Sequence, residues 1–401
     1  MSSNLREEQT PRPTDEDATP KAESSSIQIT TRDDLSLLYR FVRTIIKPLR
    51  PKLASSSTQQ PGGSIRLIPP HKEDLEVIES QVESVWQYTY QTKSSAASPG
   101  GHGARPAHQI YYFHGGGFQM RPSNQHRVFL RRLSRDLYRR SQTQVPNRPE
   151  PLLTLVSYPL APHSPAHKSL PILQKWLSAT LDNAVQSGDT VTLMGDSSGG
   201  NLALSLGFWA SEHYKAPSAV AHFDSELGSK EGVPSNIRPK ASSPLVSIIA
   251  ISPAVDLRNV NPEIQQMDRL DPVLTAKLTG DVGQIWSTGS SSKKPSDTKA
   301  DHAHFLSVDD PQLSPLLNSE NAFRGLASKD IKIHGIFGTF DVLSPDAKLF
   351  MHKCEKYGVR GQWLVWEGQM HCFPLTAGKG IRGIKEGREG LKWLEDVIMA
   401  D

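Results

Sequence analysis

Met194-Gly195-Asp196-Ser197-Ser198-Gly199-Gly200-Asn201 lies between the apolar run Val191–Met194 and the apolar stretch Leu202–Trp209. A buried strand therefore passes into a helix across a turn made of small residues. Of the two adjacent serines, only Ser197 has glycine two positions before it and two after. At ordinary glycine and serine frequencies such a triplet arises in roughly one chain in ten of this length, so its place between strand and helix carries the information. A serine on so tight a turn projects its Oγ above the sheet edge, and small neighbours avoid clashes in the strained backbone. The helix N-terminus behind it favours developing negative charge. Taken alone, the octapeptide is equally readable as an ordinary glycine-rich turn.

Outward from this point, short apolar runs alternate with helical stretches. The strand-like runs are Ile110–Phe113, Leu152–Tyr158, Val191–Met194, Leu245–Ile251, Ile331–Phe337 and Gln362–Trp366. Several lack polar alternation, as expected of strands buried on both faces of a mostly parallel sheet. Helical patterns fall at Arg127–Arg140, Leu170–Gln186, Asn201–Tyr214, Pro345–Tyr357 and Gly387–Met399. The alternation predicts an α/β architecture from about residue 64 onward.

A second glycine cluster, His114-Gly115-Gly116-Gly117-Phe118, follows Ile110–Phe113. Consecutive glycines let the backbone approach a substrate closely and aim N–H groups inward. Such a loop, upstream of a serine on a strand–helix turn, is the pattern of an oxyanion hole. Losing one donor of that kind costs roughly 3–4 kcal/mol of transition-state stabilisation. The expected donors are the backbone N–H groups of Gly116, Gly117 and Ser198. A phosphate cradle is the rival, but neither a following Lys-Ser/Thr nor dinucleotide spacing is present.

A serine nucleophile needs a base. Of 14 histidines, most are assigned to polar loops, His102, His108, His163, His167, His302 and His304 among them. His371 differs: it follows Gln362–Trp366, near the C-terminus. Asp341 follows the strand Ile331–Phe337, and the order serine, acid, histidine suits the chemistry. Asp346 is close enough in sequence to compete with Asp341. Asp196, Asn201 and Asp256 are read as structural.

With these segments together, the chain resembles the hormone-sensitive-lipase-like α/β-hydrolases, the alpha/beta hydrolase-3 group. Tyr158-Pro159-Leu160-Ala161-Pro162, Ser252-Pro253-Ala254-Val255-Asp256-Leu257 and Ser314-Pro315-Leu316 resemble further family segments, over about residue 109 to the C-terminus. Departures are His163 in place of the usual glutamate and Ser198 where alanine is frequent. The resemblance implies an α/β-hydrolase fold: a mostly parallel central sheet flanked by helices. Its helical cap would come from the N-terminal segment and the region between late strands. It also implies cleavage of a carboxylic ester with a short or medium acyl group, such as an acetyl ester, with no cofactor and no metal. Members of this loop-rich style are common in fungi.

The expected organisation is a disordered tail over 1–26, a cap helix and first strands over 27–108, and a catalytic core over 109–401. That core carries insertions at 212–243 and 258–304, the latter a cap. The tail is rich in Ser, Thr, Pro and acid and cannot bury enough surface to order itself. Leu35–Leu49 is an amphipathic helix, with Arg40, Arg43, Lys47 and Arg50 between its apolar residues. Packing on the protein is expected of it, with a membrane surface as the alternative. Thr92–His108, Glu212–Ser243 and Ser287–His304 read as polar surface loops. The Arg-rich Arg127–Arg140 reads as a solvated helix face.

A net charge of +3 gives no footprint for nucleic acid. The only cysteines, Cys354 and Cys372, form no disulfide framework and suit a reducing compartment. The absence of a secretory h-region and of a spanning apolar run makes cytoplasm the default expectation. The expected partner is a small-molecule ester; a homodimer is possible. Two other functions remain open: a tailoring enzyme of secondary metabolism that condenses or cyclises, and a membrane-associated lipase.

Overall fold

The computed structural model describes residues 25–50, 62–68, 75–92, 106–144, 149–217, 243–290, 305–377 and 384–401. Its strands are β1 (Ile27–Arg32), β2 (Leu75–Val82), β3 (Val85–Thr92), β4 (Ala107–Phe113), β5 (Glu150–Ser157), β6 (Thr190–Asp196), β7 (Leu245–Ile251), β8 (Lys332–Phe340) and β9 (Gly361–Met370). They form one 9-stranded sheet in the order β1-β9-β8-β7-β6-β4-β5-β3-β2. Only β2 with β3 and β3 with β5 run antiparallel. The α/β-hydrolase expectation of a mostly parallel sheet flanked by helices is met.

The helices are α1 (Leu37–Ile46), α2 (Asn124–Gln144), α3 (Ala166–Ser187), α4 (Ser198–His213), α5 (Ile264–Leu270), α6 (Ala276–Thr288), α7 (Glu320–Ser328), α8 (Ser344–Lys356) and α9 (Lys385–Ala400). Successive strand residues point to opposite faces, and here both faces are apolar. Leu193, Ile248 and Ile333 join Trp176 of α3, Phe208 of α4 and Phe350 of α8 in one core. Met194, Ile249 and Ile336 join Phe129 of α2, Leu394 of α9 and Tyr39 of α1 in the other. Continuous apolar runs are the consequence of this two-sided burial.

The late strands run longer than their apolar runs predict. β8 continues to Phe340 and β9 to Met370, and these two residues are register partners. Asp341 and His371 thus leave adjacent strands at one level of the sheet.

The N-terminal segment departs from expectation. Strand–helix alternation is predicted only from about residue 64, yet Ile27–Arg32 forms an edge strand parallel to β9. Pairing Arg32 with Trp366 delivers the following chain to the end of β9, beside His371. The predicted helix over Leu35–Leu49 is α1, capped by the Ser36 hydroxyl, followed by a single 3-10 turn at Lys47–Leu49 where Pro48 lies. Tyr39 is fully buried, while Leu37, Phe41 and Ile45 are exposed. Packing thus covers one side of α1 only.

Two smaller expectations are corrected. The Arg-rich face of α2 is not wholly solvated: Arg132 donates to the Ala377 carbonyl, and Arg140 pairs with Glu395 and Asp396 of α9. Arg140 thus lies against α9, while Arg139 stays exposed. His108, assigned to a polar loop, is a buried residue of β4 whose Nε2 contacts the Thr192 hydroxyl. Most of the three polar stretches, and residues 1–24 of the N-terminal tail, lie outside the described residues.

Candidate active site

The turn between β6 and α4 is as tight as its composition requires. Ser197 has φ 55° and ψ −120°, and its N–H donates to the Ile251 carbonyl at 2.8 Å. A Cβ on Gly195 would collide with the Gly199 backbone, and one on Gly199 with the Phe113 carbonyl. No larger residue fits either place. Asn201, one helical turn on, donates through Nδ2 to the carbonyls of Ala254 and Leu313, both at 2.7 Å, which fixes α4 against two neighbouring loops. Its structural assignment agrees with these bonds.

Asp196 anchors the glycine loop. Its carboxylate accepts from the Tyr112 hydroxyl at 2.5 Å and the Gly115 N–H at 2.8 Å, and it faces His126 Nε2 at 3.3 Å. Burial would raise its pKa, but His126 and these donors outweigh that and hold it at about 2. The carboxylate therefore stays charged and the loop stays pinned. Tyr158 supports the loop's other side, donating to the His114 carbonyl at 2.9 Å and stacking on the His114 ring. Burial holds His114 neutral, its pKa lowered to about 3. Phe118 stacks on Trp286 of α6 at 4.4 Å, and its carbonyl accepts from Ala161 N–H. Gly116 and Gly117, at φ 120° and 60°, turn between these fixed points.

His371 and Asp341 meet directly, Nδ1 to Oδ2 at 2.7 Å, with Asp341 fully buried. The second Asp341 oxygen accepts from Leu343 N–H at 3.0 Å. Burial disfavours the charged imidazolium, but the Asp341 charge outweighs it, so His371 is held well above the ordinary histidine range. Asp346 does not compete: it sits in α8 and accepts from Asn261 at 2.8 Å. Ser197, Ser198, Gly116, Gly117 and His371 all line one cavity of about 850 Å³. Among the hydrogen bonds of the described residues, none joins the Ser197 hydroxyl to His371.

The family described as alpha/beta hydrolase fold matches residues 110–375, about two thirds of the chain. The chain belongs to that family. The alpha/beta hydrolase-fold chain is also similar to an esterase of Acinetobacter venetianus, 24% identical over 270 residues, spanning 66% of this chain and 67% of the relative. Its fold resembles a crystal structure of a hormone-sensitive lipase from a metagenome library, at 17% identity and TM-score 0.57, covering 90% of this chain and 91% of that one. It resembles equally an esterase/lipase from an uncultured bacterium, at 16% identity and TM-score 0.58, covering 91% and 99%.

In this alpha/beta hydrolase-fold chain the cavity walls are largely apolar, and their apolar residues come from three directions. Val42 and Ile46 of α1, Leu278, Val282 and Ile285 of α6, with Val273 and Leu274 just before it, and Met370 at the end of β9 with Leu375 beyond it contribute. Trp286, also in α6, is instead fully buried against Phe118, and Leu270 at the end of α5 lies outside the lining. Among the described residues, no cluster of three or more His, Cys, Asp or Glu side chains could hold a metal ion.

Sequence reasoning missed two neighbours of the His–Asp pair. Asp271, between α5 and α6 and fully buried, accepts from Val342 N–H at 2.9 Å through one oxygen. Through the other it accepts from Val273 and Leu274 N–H at 2.6 and 2.9 Å. Burial and the nearby Asp341 charge raise its pKa to about 6. Cys372 Sγ lies 3.3 Å from His371 Nε2, and Cys372 N–H donates to the Ser252 hydroxyl at 3.0 Å. Burial pushes this thiol up to about 12, which leaves it a neutral neighbour at ordinary pH. Neither contact has a signal in sequence spacing. The Ser252-Pro253 segment was noticed, but not what its hydroxyl holds.

Proposed function

We propose that this protein is a carboxylic ester hydrolase in which Ser197 is the nucleophile, His371 the general base and Asp341 the residue that orients it. The reading is carried by one observation: the buried His371–Asp341 pair opens on the same cavity as Ser197, held at φ 55°. Strained backbone at a cavity wall is a mark of function rather than of folding. A serine–histidine contact is often long in a free enzyme and tightens around substrate.

His371 Nε2 takes the Ser197 proton as Oγ attacks the ester carbonyl. Charge then moves onto the carbonyl oxygen, toward the backbone N–H groups of Gly116, Gly117 and Ser198. The imidazolium, stabilised by Asp341, returns its proton to the departing alkoxide, leaving an acyl-serine. Water repeats the sequence: it loses a proton to His371 and attacks the acyl carbon, and His371 returns that proton to Oγ as the acid and Ser197 are released. The family resemblance suggests a short or medium acyl chain, and the largely apolar walls suit an apolar alcohol.

Hydrolysis of p-nitrophenyl acetate, butyrate and octanoate by wild type and Ser197→Ala tests this. The variant is expected to lose at least about 10³-fold in kcat/KM. A fluorophosphonate probe is expected to label Ser197 in wild type only. Undiminished turnover by the variant would discard the assignment.

A further inference from the structure

The outward side of α1 is the feature that ester hydrolysis leaves unexplained. Leu37, Phe41 and Ile45, at intervals of four, form one ridge along the helix, and they are 82%, 64% and 52% exposed. Isolated exposed apolar residues need no explanation, but a contiguous ridge of three large ones does. The next residue after each of the last two faces elsewhere: Val42 and Ile46 line the active-site cavity. Ridge and cavity rim are thus adjacent strips of the same two helical turns.

Within the helix itself the charge has one sign, although Asp33 and Asp34 directly precede it, Asp34 paired with Arg32 and Lys385. From Leu35 to Arg50 the chain carries Arg40, Arg43, Lys47 and Arg50 and no carboxylate. Arg50 is neutralised by Asp268 at 2.6 Å. Arg43 and Lys47 donate only to the carbonyls of Gly368 and Arg269. Among the described residues none of Arg40, Arg43 and Lys47 enters an ion pair. Arg40 and Lys47 are exposed, as the ridge is. A second copy of the chain docked on this face by a two-fold axis would set these cations against their own equivalents. An anionic surface would neutralise them.

We propose that α1 is a lipid-docking helix, which seats Leu37, Phe41 and Ile45 in the acyl boundary of an anionic lipid surface and brings the cavity mouth against it. Among the described residues no helix is long and apolar enough to cross a membrane, so the contact is with the surface. Burying the ridge supplies the apolar part of the binding, and Arg40 and Lys47 supply attraction to the headgroups. An apolar ester held in the lipid then reaches Ser197 past Val42 and Ile46 without crossing water. Delivery of a substrate rests on the ester-hydrolase reading; docking itself does not.

Co-sedimentation of the full chain with phosphatidylcholine vesicles, with and without phosphatidylserine, tests the docking. Binding is expected to rise with phosphatidylserine and to weaken as salt increases. Phe41→Gln with Ile45→Gln is expected to cut vesicle binding at least about tenfold. Turnover of water-soluble p-nitrophenyl acetate by that variant is expected to stay unchanged, which also shows it folded. Ser197→Ala is expected to bind vesicles as wild type does, so docking remains readable if the catalytic assignment fails. Absence of wild-type binding to either vesicle would overturn the proposal. So would a concentration-dependent dimer, seen by sedimentation velocity, that the ridge variant abolishes.

Discussion

Ser197 holds φ 55° and ψ −120°, a backbone state that costs an L-residue about 1–3 kcal/mol and persists only where its surroundings enforce it. The Gly195–Gly199 contact and the bond from Ser197 N–H to the Ile251 carbonyl are what enforce it. His371 makes the residue-scale prediction about pH. As the proposed base it works only when neutral, and Asp341 holds it protonated to a higher pH than ordinary histidine. The rate kcat/KM should therefore fall as pH drops through a value above about 6.5, and be full on the alkaline side. Asp341→Asn should lower that limb and cut kcat by about 10⁴-fold, as when a triad histidine loses its tautomer and its counter-charge. A pH–rate profile of both proteins measures this. Ser197, Asp341 and His371 are legible in the sequence because strand-end loops and glycine spacing mark them. Cys372 is not, since its 3.3 Å contact with Nε2 depends on how the chain turns after β9, where Cys372 has φ 49°.

At the scale of elements, one carboxylate joins the segment between α5 and α6 to the loop after β8. Asp271 takes N–H bonds from Val273 and Leu274, which line the cavity, and from Val342, next to Asp341. Asp271→Ala leaves the buried Val342 N–H without its acceptor, at about 1–3 kcal/mol, and frees the half-buried N–H groups of Val273 and Leu274. It also frees the wall to shift, and misplacement by an ångström can cost about 10²-fold in rate. Asp271→Ala should therefore lower both the unfolding temperature and kcat/KM. The Asp271 charge favours the imidazolium, so removing it should also move the acid limb of the pH profile down. A stability effect alone would leave that limb in place; the charges that act on Asp271 are those of Asp341 and His371. In sequence the segment is read only as part of the 258–304 cap insertion. The clamp is not, because its partner lies 71 positions away.

Across the whole molecule, β1 and α1 tie the N-terminus to the far edge of the sheet. β1 extends the sheet beyond β9, Tyr39 donates to the Gly368 carbonyl at 3.1 Å, and Arg43 lies over the Phe340 ring. Removing residues 1–46 would expose the β9 edge and open one cavity wall. The unfolding temperature is expected to fall by at least about 4 °C, checked by calorimetry. Activity on the octanoate ester should suffer more than on the acetate ester. The sequence by itself determined the α/β order, the two glycine turns and three side chains at strand ends, because strand periodicity and turn chemistry are local properties of the chain. Only the tertiary structure decided that Ile27–Arg32 closes the sheet beside β9, that α1 borders the cavity, and that Asp271 reaches Val342. Those contacts depend on which distant segments a nine-stranded sheet makes neighbours, and no local pattern encodes that.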